Sequence, residues 1–419
     1  MAKSNCAMKN KFLIEMKSRG YLSQCTDLGK LELICNKHPI SGYIGFDCTA
    51  SSLHVGSLLQ LMILRLMQKH GHRPIVLLGG GTTLIGDPSG KDNTRKILMQ
   101  KEIGKNIKSI KKVFNKVLDN SNRKTKPLFV DNAKWLTKLN FIQFLRDIGK
   151  HFTINKMLTF ESVKLRLERE QSLSYMEFNY MLLQAYDFFQ LFKKNNCILQ
   201  IGGSDQWGNI VNGVDLIRRV LHKDSFGITS PLITLASGLK MGKTETGAIW
   251  LNEEILSPYE YWQFWRNTDD RDVKKFLNFF TDIKTEKIDF LCNNEKNIND
   301  LKIILANEAT KILHGEKASK NAEKTAKDTF EGKGLSENLP EIKFKLSEHQ
   351  KGINILDLLT KSKIMSSKSQ ARRAIADKGL KINDILINDD KMVINLTNFK
   401  KKKSKISFGK KRHYLIKVI

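Results

Sequence analysis

The chain is short of proline, with seven in 419 residues, and has no repeat of the collagen or proline-rich kind. It is also short of acid: 43 Asp and Glu stand against 71 Lys and Arg, a net charge of +28. No apolar run approaches the roughly 18 residues of a membrane-spanning helix, so no membrane partner is expected. Charges at Lys3, Lys9, Lys11, Glu15 and Lys17 break up the N-terminal stretch, which argues against a signal peptide. The six cysteines, at positions 6, 25, 35, 48, 197 and 292, form no C-x-x-C pair and no metal-ligand spacing. They read as reduced thiols of a cytoplasmic protein, and no protein-ligated metal is expected. What is present is 41% hydrophobic residues, enough for a globular chain of two or three domains.

The positive charge is uneven. From Gln350 to Ile419 there are 18 Lys and Arg against five acids. Within that segment Ser369-Gln370-Ala371-Arg372-Arg373-Ala374-Ile375-Ala376 reads as a short helix with adjacent arginines, stopped by Gly379. Short apolar strands follow, around Lys381-Ile382, Ile385-Ile387 and Met392-Ile394, and then the run Lys400–Lys403. A basic α+β module of this kind suits a phosphate backbone, so nucleic-acid binding through Arg372 and Arg373 is expected. Lys317 to Lys345 is polar and reads as a linker, whereas Ser257 to Leu313 carries only helical patterns.

The first 230 residues alternate between apolar runs (Gly42–Phe46, Ile75–Leu78, Leu128–Val130, Ile198–Ile201) and helical stretches such as Leu58 to His70 and Phe178 to Phe192. That alternation predicts an α/β domain with a doubly wound parallel sheet, whose ligands bind at the carboxyl ends of the strands. A P-loop is excluded: the spacing G-x-x-x-x-G-K-[ST] would need glycine at Ile85 or at Ser237. The strand ending at Asp47 runs instead into Cys48-Thr49-Ala50-Ser51-Ser52-Leu53-His54-Val55-Gly56-Ser57 and then a helix. Ser51 or Ser52 is expected to cap that helix, placing His54 in its first turn, where phosphate is favoured. Gly56 would let a flat ring approach the backbone.

Far downstream comes Leu239-Lys240-Met241-Gly242-Lys243-Thr244, a polar loop with two lysines three apart. With it the chain resembles the class I aminoacyl-tRNA synthetases, whose signatures are a His-x-Gly-His segment and a Lys-Met-Ser-Lys-Ser loop. More narrowly it is similar to the bacterial tyrosyl enzymes of that class. The stretches Tyr43–Asp47, Leu84–Lys91, Tyr180–Asp187 and Gln200–Asn209 carry the resemblance in order, and the basic module is similar to a small ribosomal-protein RNA-binding fold.

The resemblance implies a Rossmann-like catalytic domain over residues 1–230, a signature loop with a helical anticodon-side domain over 231–315, a linker over 316–350 and an RNA-binding domain over 351–419. It implies a homodimer that joins L-tyrosine to tRNA(Tyr), with ATP as substrate and Mg2+ as its counterion. By resemblance Thr49, His54, Lys91, Arg95, Lys240 and Lys243 surround the departing pyrophosphate. Tyr43 and Asp187 meet the tyrosine phenol. Asp87, Tyr180 and Gln184 take its ammonium, Gln206 lies near its carboxylate, and Asn132 and Gln200 are further pocket candidates. Gly45, Asp47, Gly56, Ser57, Gly202 and Asp205, with Lys243, are assigned to ATP.

Tyr180, Gln184 and Asp187 stand at i, i+4 and i+7, hence on one helix face. Ser57 replaces the second histidine of the signature, Cys48 stands at a usual proline, and Gly242-Lys243-Thr244 replaces Ser-Lys-Ser. Two rivals remain at this point: a non-enzymatic RNA-binding relative, and the sister enzyme for tryptophan. The first has no use for His54 and the lysines. The second is disfavoured by the Tyr43–Asp187 pair.

Overall fold

The computed structural model describes residues 8–86, 98–170, 172–238, 241–244, 247–330, 339, 341–345, 352–399, 402–409 and 412–419. At 161, 162, 165, 243, 244, 247, 329, 330 and 412 it describes the backbone only. The chain divides into two compact units, residues 1–255 with 269–298, and residues 256–268 with 299–419.

The first unit is built on a six-stranded sheet of β1 (Gln24–Cys25), β2 (Ser41–Asp47), β3 (Arg73–Gly79), β4 (Leu128–Asp131), β5 (Cys197–Gly203) and β6 (Phe226–Ser230). Their order is β1-β6-β5-β2-β3-β4, parallel except for the antiparallel edge strand β1. The apolar runs become the central strands because both faces are covered: in β3 every residue from Pro74 to Gly79 is buried. From β2 the chain moves out to β3 and β4, then returns on the other side through β5 and β6. The winding therefore reverses between β2 and β5, and a crevice opens beyond their carboxyl ends.

Three helices frame that crevice. Helix α1 (Leu58–Lys69) is apolar nearly all round and buries eight of its residues. Helix α2 (Tyr175–Asn195) begins at a capping box of Ser174 and Glu177 and stops at Asn196, whose backbone is left-handed. Helix α3 (Trp207–Leu221) packs along α2. Between α2, α3 and the sheet, Tyr43, Ile75, Leu77, Phe188, Leu191 and Leu216 belong to one core.

The second unit contains α4 (Pro258–Arg266), which buries Tyr259, Tyr261, Trp262 and Trp265, then α5 (Ile298–His314) and α6 (Glu316–Phe330). Its C-terminal part has its own five-stranded sheet, in the order Ile385–Leu386, Leu380–Ile382, Lys403–Phe408, Arg412–Val418 and Glu341–Phe344. Ile355, Leu359, Ile375, Leu380 and Ile416 lie in a separate core beside it. Helix α7 (Lys368–Ala376) buries Ala371, Ala374 and Ile375, and Arg372 and Arg373 are exposed on its other face.

Two boundaries differ from those expected. Residues 231–255 and 269–298 pack with the sheet unit, so the helical part of the second unit is α4 with the helices after residue 298. The expected linker over 316–350 is shorter, because its first fifteen residues are α6. That helix is predominantly polar, yet it packs on α4 through small buried side chains, Ser319, Ala322 and Thr325. Hydrogen bonds tie it to α5 as well: Ser319 Oγ donates to the Asn307 carbonyl at 2.9 Å, and Asn307 Nδ2 donates to Glu323 at 2.8 Å. A chain ended at Phe330 should therefore melt cooperatively. One ended at Gly315 should uncover the aromatic face of α4, lose about 2–4 kcal/mol in urea titration and bind a hydrophobic dye.

Candidate active site

The crevice holds a cavity of about 410 Å³. Its walls include Tyr43, Gly45, Asp47, Thr49, His54, Gly56, Ser57, Asn132, Tyr180, Gln184, Asp187, Gln200, Gly202, Asp205 and Gln206. These are all the expected tyrosine and ATP residues for which side chains or glycines are described. Asp87, Lys91, Arg95 and Lys240 lie outside the described residues, and Lys243 is described in its backbone alone.

The floor is acidic and buried. Asp187, 2% exposed on α2, accepts from Asn132 Nδ2 at 2.8 Å and from Trp135 Nε1 at 2.7 Å. Burial pushes its carboxyl up from 3.8 to about 7; the two donors pull the other way, and the charges of Asp47 and Asp131 add to the rise. Tyr43, 1% exposed, leans on the Phe188 ring, with centroids 5.4 Å apart. Its phenol is raised well above the usual value, by burial first and then by Asp187. Tyr43 and Asp187 do not bond each other: the carboxylate is held by Asn132 and Trp135, and the Tyr43 hydroxyl has no hydrogen-bond partner among the described residues. Gln200 Oε1, also in the cavity, is likewise buried and has no hydrogen-bond partner among the described residues. Buried polar atoms of this kind are costly unless a polar ligand meets them.

Asn132 does more than its place as a further candidate suggested. Its Nδ2 also donates to Thr82 Oγ1 at 3.1 Å, and its Oδ1 accepts from the Gly81 N–H at 2.8 Å. Thr82 Oγ1 and the Tyr180 hydroxyl each make a long 3.3 Å contact with Asp47 Oδ1. Tyr180, Gln184 and Asp187 do face one cavity, as their spacing requires. Trp135 was missed, although it stands three residues after Asn132 on the same short turn of helix (Ala133–Leu136).

The other wall differs locally from its expected form. Neither Ser51 nor Ser52 caps the helix. His54 is itself the cap of a 3-10 turn (Val55–Ser57), its Nδ1 accepting from the Gly56 N–H at 3.0 Å. That bond leaves the ring proton of the neutral imidazole on Nε2. Ser52 Oγ instead accepts from Asn252 N–H at 3.1 Å.

Backbone bonds from Val55 N–H to the Ile249 carbonyl and from Leu251 N–H to the Leu53 carbonyl, both 2.9 Å, tie the His54 segment to the chain just beyond the lysine loop. The loop itself presses on the histidine. A Cβ on Gly56 would stand 2.7 Å from the His54 ring and 2.8 Å from the Met241 carbonyl. The flat ring beside Gly56 is thus the protein's own imidazole. Gly242 has φ +109°, and a Cβ there would lie 2.7 Å from His54 Nδ1. Its departure from the serine of the signature has a local cause: only glycine fits this backbone against this ring.

Comparison with known proteins follows the same lines. The family model for tRNA synthetases class I (W and Y) matches residues 35–331, and that for the tyrosine–tRNA ligase SYY-like C-terminal domain matches residues 331–416. The tyrosine–tRNA ligase of Pelagibacter ubique is 60% identical over 410 residues, 98% of this chain and 100% of that one. That of Rickettsia africae is 51% identical over 411 residues, 97% and 100% of the two chains. Among solved structures, a C-terminally truncated mitochondrial tyrosyl-tRNA synthetase of Aspergillus nidulans matches with a TM-score of 0.68 at 27% identity, covering 76% of this chain and 94% of that one. Its counterpart from Coccidioides posadasii gives 0.64 at 28% identity, covering 75% and 92%.

The buried carboxyl yields a prediction. Its folded value lies above the usual 3.8, so the folded protein holds this proton more tightly than the unfolded chain does. The contribution of Asp187 to stability is then most favourable below the usual value and is lost as pH rises towards about 7. Titration of the ligand-free protein by carbon NMR should place the Asp187 midpoint near 7. Trp135→Phe, which removes a donor to the charged form, should move it higher. A midpoint in the ordinary carboxylate range would show the floor to be wet.

Proposed function

Since the chain belongs to the tyrosine–tRNA ligases of class I, we propose that its β2–β5 cavity seats L-tyrosine and ATP through the residues described above and that its basic C-terminal module holds tRNA(Tyr). The reaction is a ligation in two steps. The tyrosine carboxylate attacks the α-phosphate of ATP, forming a carboxyl–phosphate bond as pyrophosphate leaves. The 3′ end of the tRNA then takes the tyrosyl group and AMP departs. The observation that carries the site assignment is the convergence of a buried, donor-held carboxylate and an unbonded phenol in a cavity whose rim bears His54.

Asp187 accepts a hydrogen bond from the substrate phenol, and the Tyr43 hydroxyl, without a partner among the described residues, completes that contact. Tyr180 and Gln184, with Asp87, meet the ammonium, and Gln206 meets the carboxylate. Gly45 and Gly202 leave room for the nucleotide, and Asp205 takes its ribose. Thr49 and His54, the latter donating from Nε2, stabilise the charge that grows on the leaving pyrophosphate, together with Lys91, Arg95, Lys240 and Lys243. Positioned donors of this type contribute about 3 kcal/mol each to such a step. ATP brings its own Mg2+ as part of the substrate.

The tRNA reading rests on the exposed pair Arg372 and Arg373 and on the charge of their module. Arg372 Nε bonds Asp390 at 3.1 Å, but both groups face solvent, so the pair adds little to the module's stability. A homodimer in the cytoplasm completes the proposal. It is supported by a stretch of exposed apolar side chains between residues 141 and 176, namely Phe141, Ile142, Ile154, Leu158, Leu167 and Tyr175, which a second copy would cover.

Ser57 precedes α1 but makes no capping bond, so its hydroxyl is not spent on the helix. Ser57→Ala should then cost about 1 kcal/mol in kcat/KM for ATP, measured by ATP–pyrophosphate exchange. His54→Ala should cost at least about 3 kcal/mol, because its bond strengthens as charge develops. Equal losses would refute these two roles.

Chemistry and tRNA capture should also separate. A chain ended at Phe330 keeps the cavity and should retain tyrosine-dependent exchange while losing most aminoacylation. In the full chain, replacing Arg372 and Arg373 together by Ala should raise KM for tRNA and leave exchange unchanged. It should also flatten the salt dependence of tRNA binding. Charging at the full rate by the shortened chain would assign tRNA binding elsewhere.

A further inference from the structure

We propose that Asn209, which lies behind the cavity wall, is a positioning residue that sets how Gln184 and Gln206 present their amides to tyrosine. The inference rests on the reading of the cavity as the tyrosine site. Asn209 stands in the first turn of α3 and is 8% exposed. Its Nδ2 donates to Gln184 Oε1 and to Gln206 Oε1, each at 3.0 Å.

A primary amide nitrogen carries two protons, so this one group engages both glutamines at once. The two come from different elements, Gln184 from the middle of α2 and Gln206 from the turn after β5. The bond that ends a glutamine side chain rotates easily between two orientations, which exchange an acceptor for a donor. A glutamine beside a small zwitterion must present the right atom. By holding both Oε1 atoms, Asn209 fixes both amides in one sense. Gln206 then offers its N–H to the substrate carboxylate, and Gln184 keeps the second lone pair of its oxygen for the ammonium.

The fork has a property that a packing residue lacks: its polarity can be reversed without changing its shape. Asn209→Asp keeps the volume but can only accept. It should turn Gln206 round, so that its oxygen and not its N–H meets the substrate carboxylate.

The test is ATP–pyrophosphate exchange by the full-length protein, with tyrosine and ATP varied separately. Asn209→Ala should lower kcat/KM for tyrosine on the order of tenfold with KM for ATP unchanged. The isosteric Asn209→Asp should lower it further, and this variant carries the test should the alanine variant fold poorly. In a chain already bearing Gln184→Ala and Gln206→Ala, replacing Asn209 by Ala should cause no further loss. Two results would overturn the proposal: unchanged kinetics for Asn209→Asp, or an undiminished effect of Asn209→Ala in the doubly substituted chain. Absence of tyrosine-dependent exchange from the unsubstituted protein would instead overturn the tyrosine reading, and this inference with it.

Discussion

The cavity is organised around the cost of keeping one carboxylate dry. Removing Asp187 from water would cost several kcal/mol without donors to replace its hydration. Asn132 and Trp135 supply two donors from a single short turn after β4. Asn132 is itself pinned by the Gly81 N–H and by Thr82, so the segments that follow β3 and β4 are both fixed by the demands of a group on α2. The raised carboxyl shows that two donors compensate only in part. In the proposed reading, the hydroxyl of the bound tyrosine supplies a further donor.

The opposite wall is held differently, by backbone pairing. Leu53 and Val55 bond to Leu251 and Ile249, and Met241 and Gly242 lie against the His54–Gly56 segment. Two stretches nearly half the chain apart in sequence thereby share one small volume. The histidine serves both, as the cap of its own turn and as the surface on which the loop settles.

The sheet was legible because its central strands are unbroken apolar runs, and the pocket because Tyr180, Gln184 and Asp187 keep a helical period. Strands β1 and β6 were harder: Gln24–Cys25 is two residues long, and Phe226–Ser230 mixes glycine, threonine and serine. Helix α6 was read as linker because it is rich in charge and packs through alanine, serine and threonine, which carry no large apolar side chains. Trp135 and Asn209 were illegible for another reason. Each acts on a residue that faces the cavity, through a hydrogen bond that joins separate elements. Sequence assigns Tyr43 and Asp187 to one phenol, and the structure adds that the carboxylate is held by Asn132 and Trp135.

The contact of His54 with Gly56 and Gly242 also bears on how such a chain drifts. A side chain at either glycine would occupy space the imidazole now fills, and Gly242 in addition has a backbone that disfavours any side chain. The fitness of a residue at one of these positions is therefore conditional on the other two. A serine introduced at 242 is a different mutation here from the same serine in a chain whose loop stands off the histidine. The departure at Gly242 is thus held in place by its neighbours, since reverting it alone meets a clash with the imidazole.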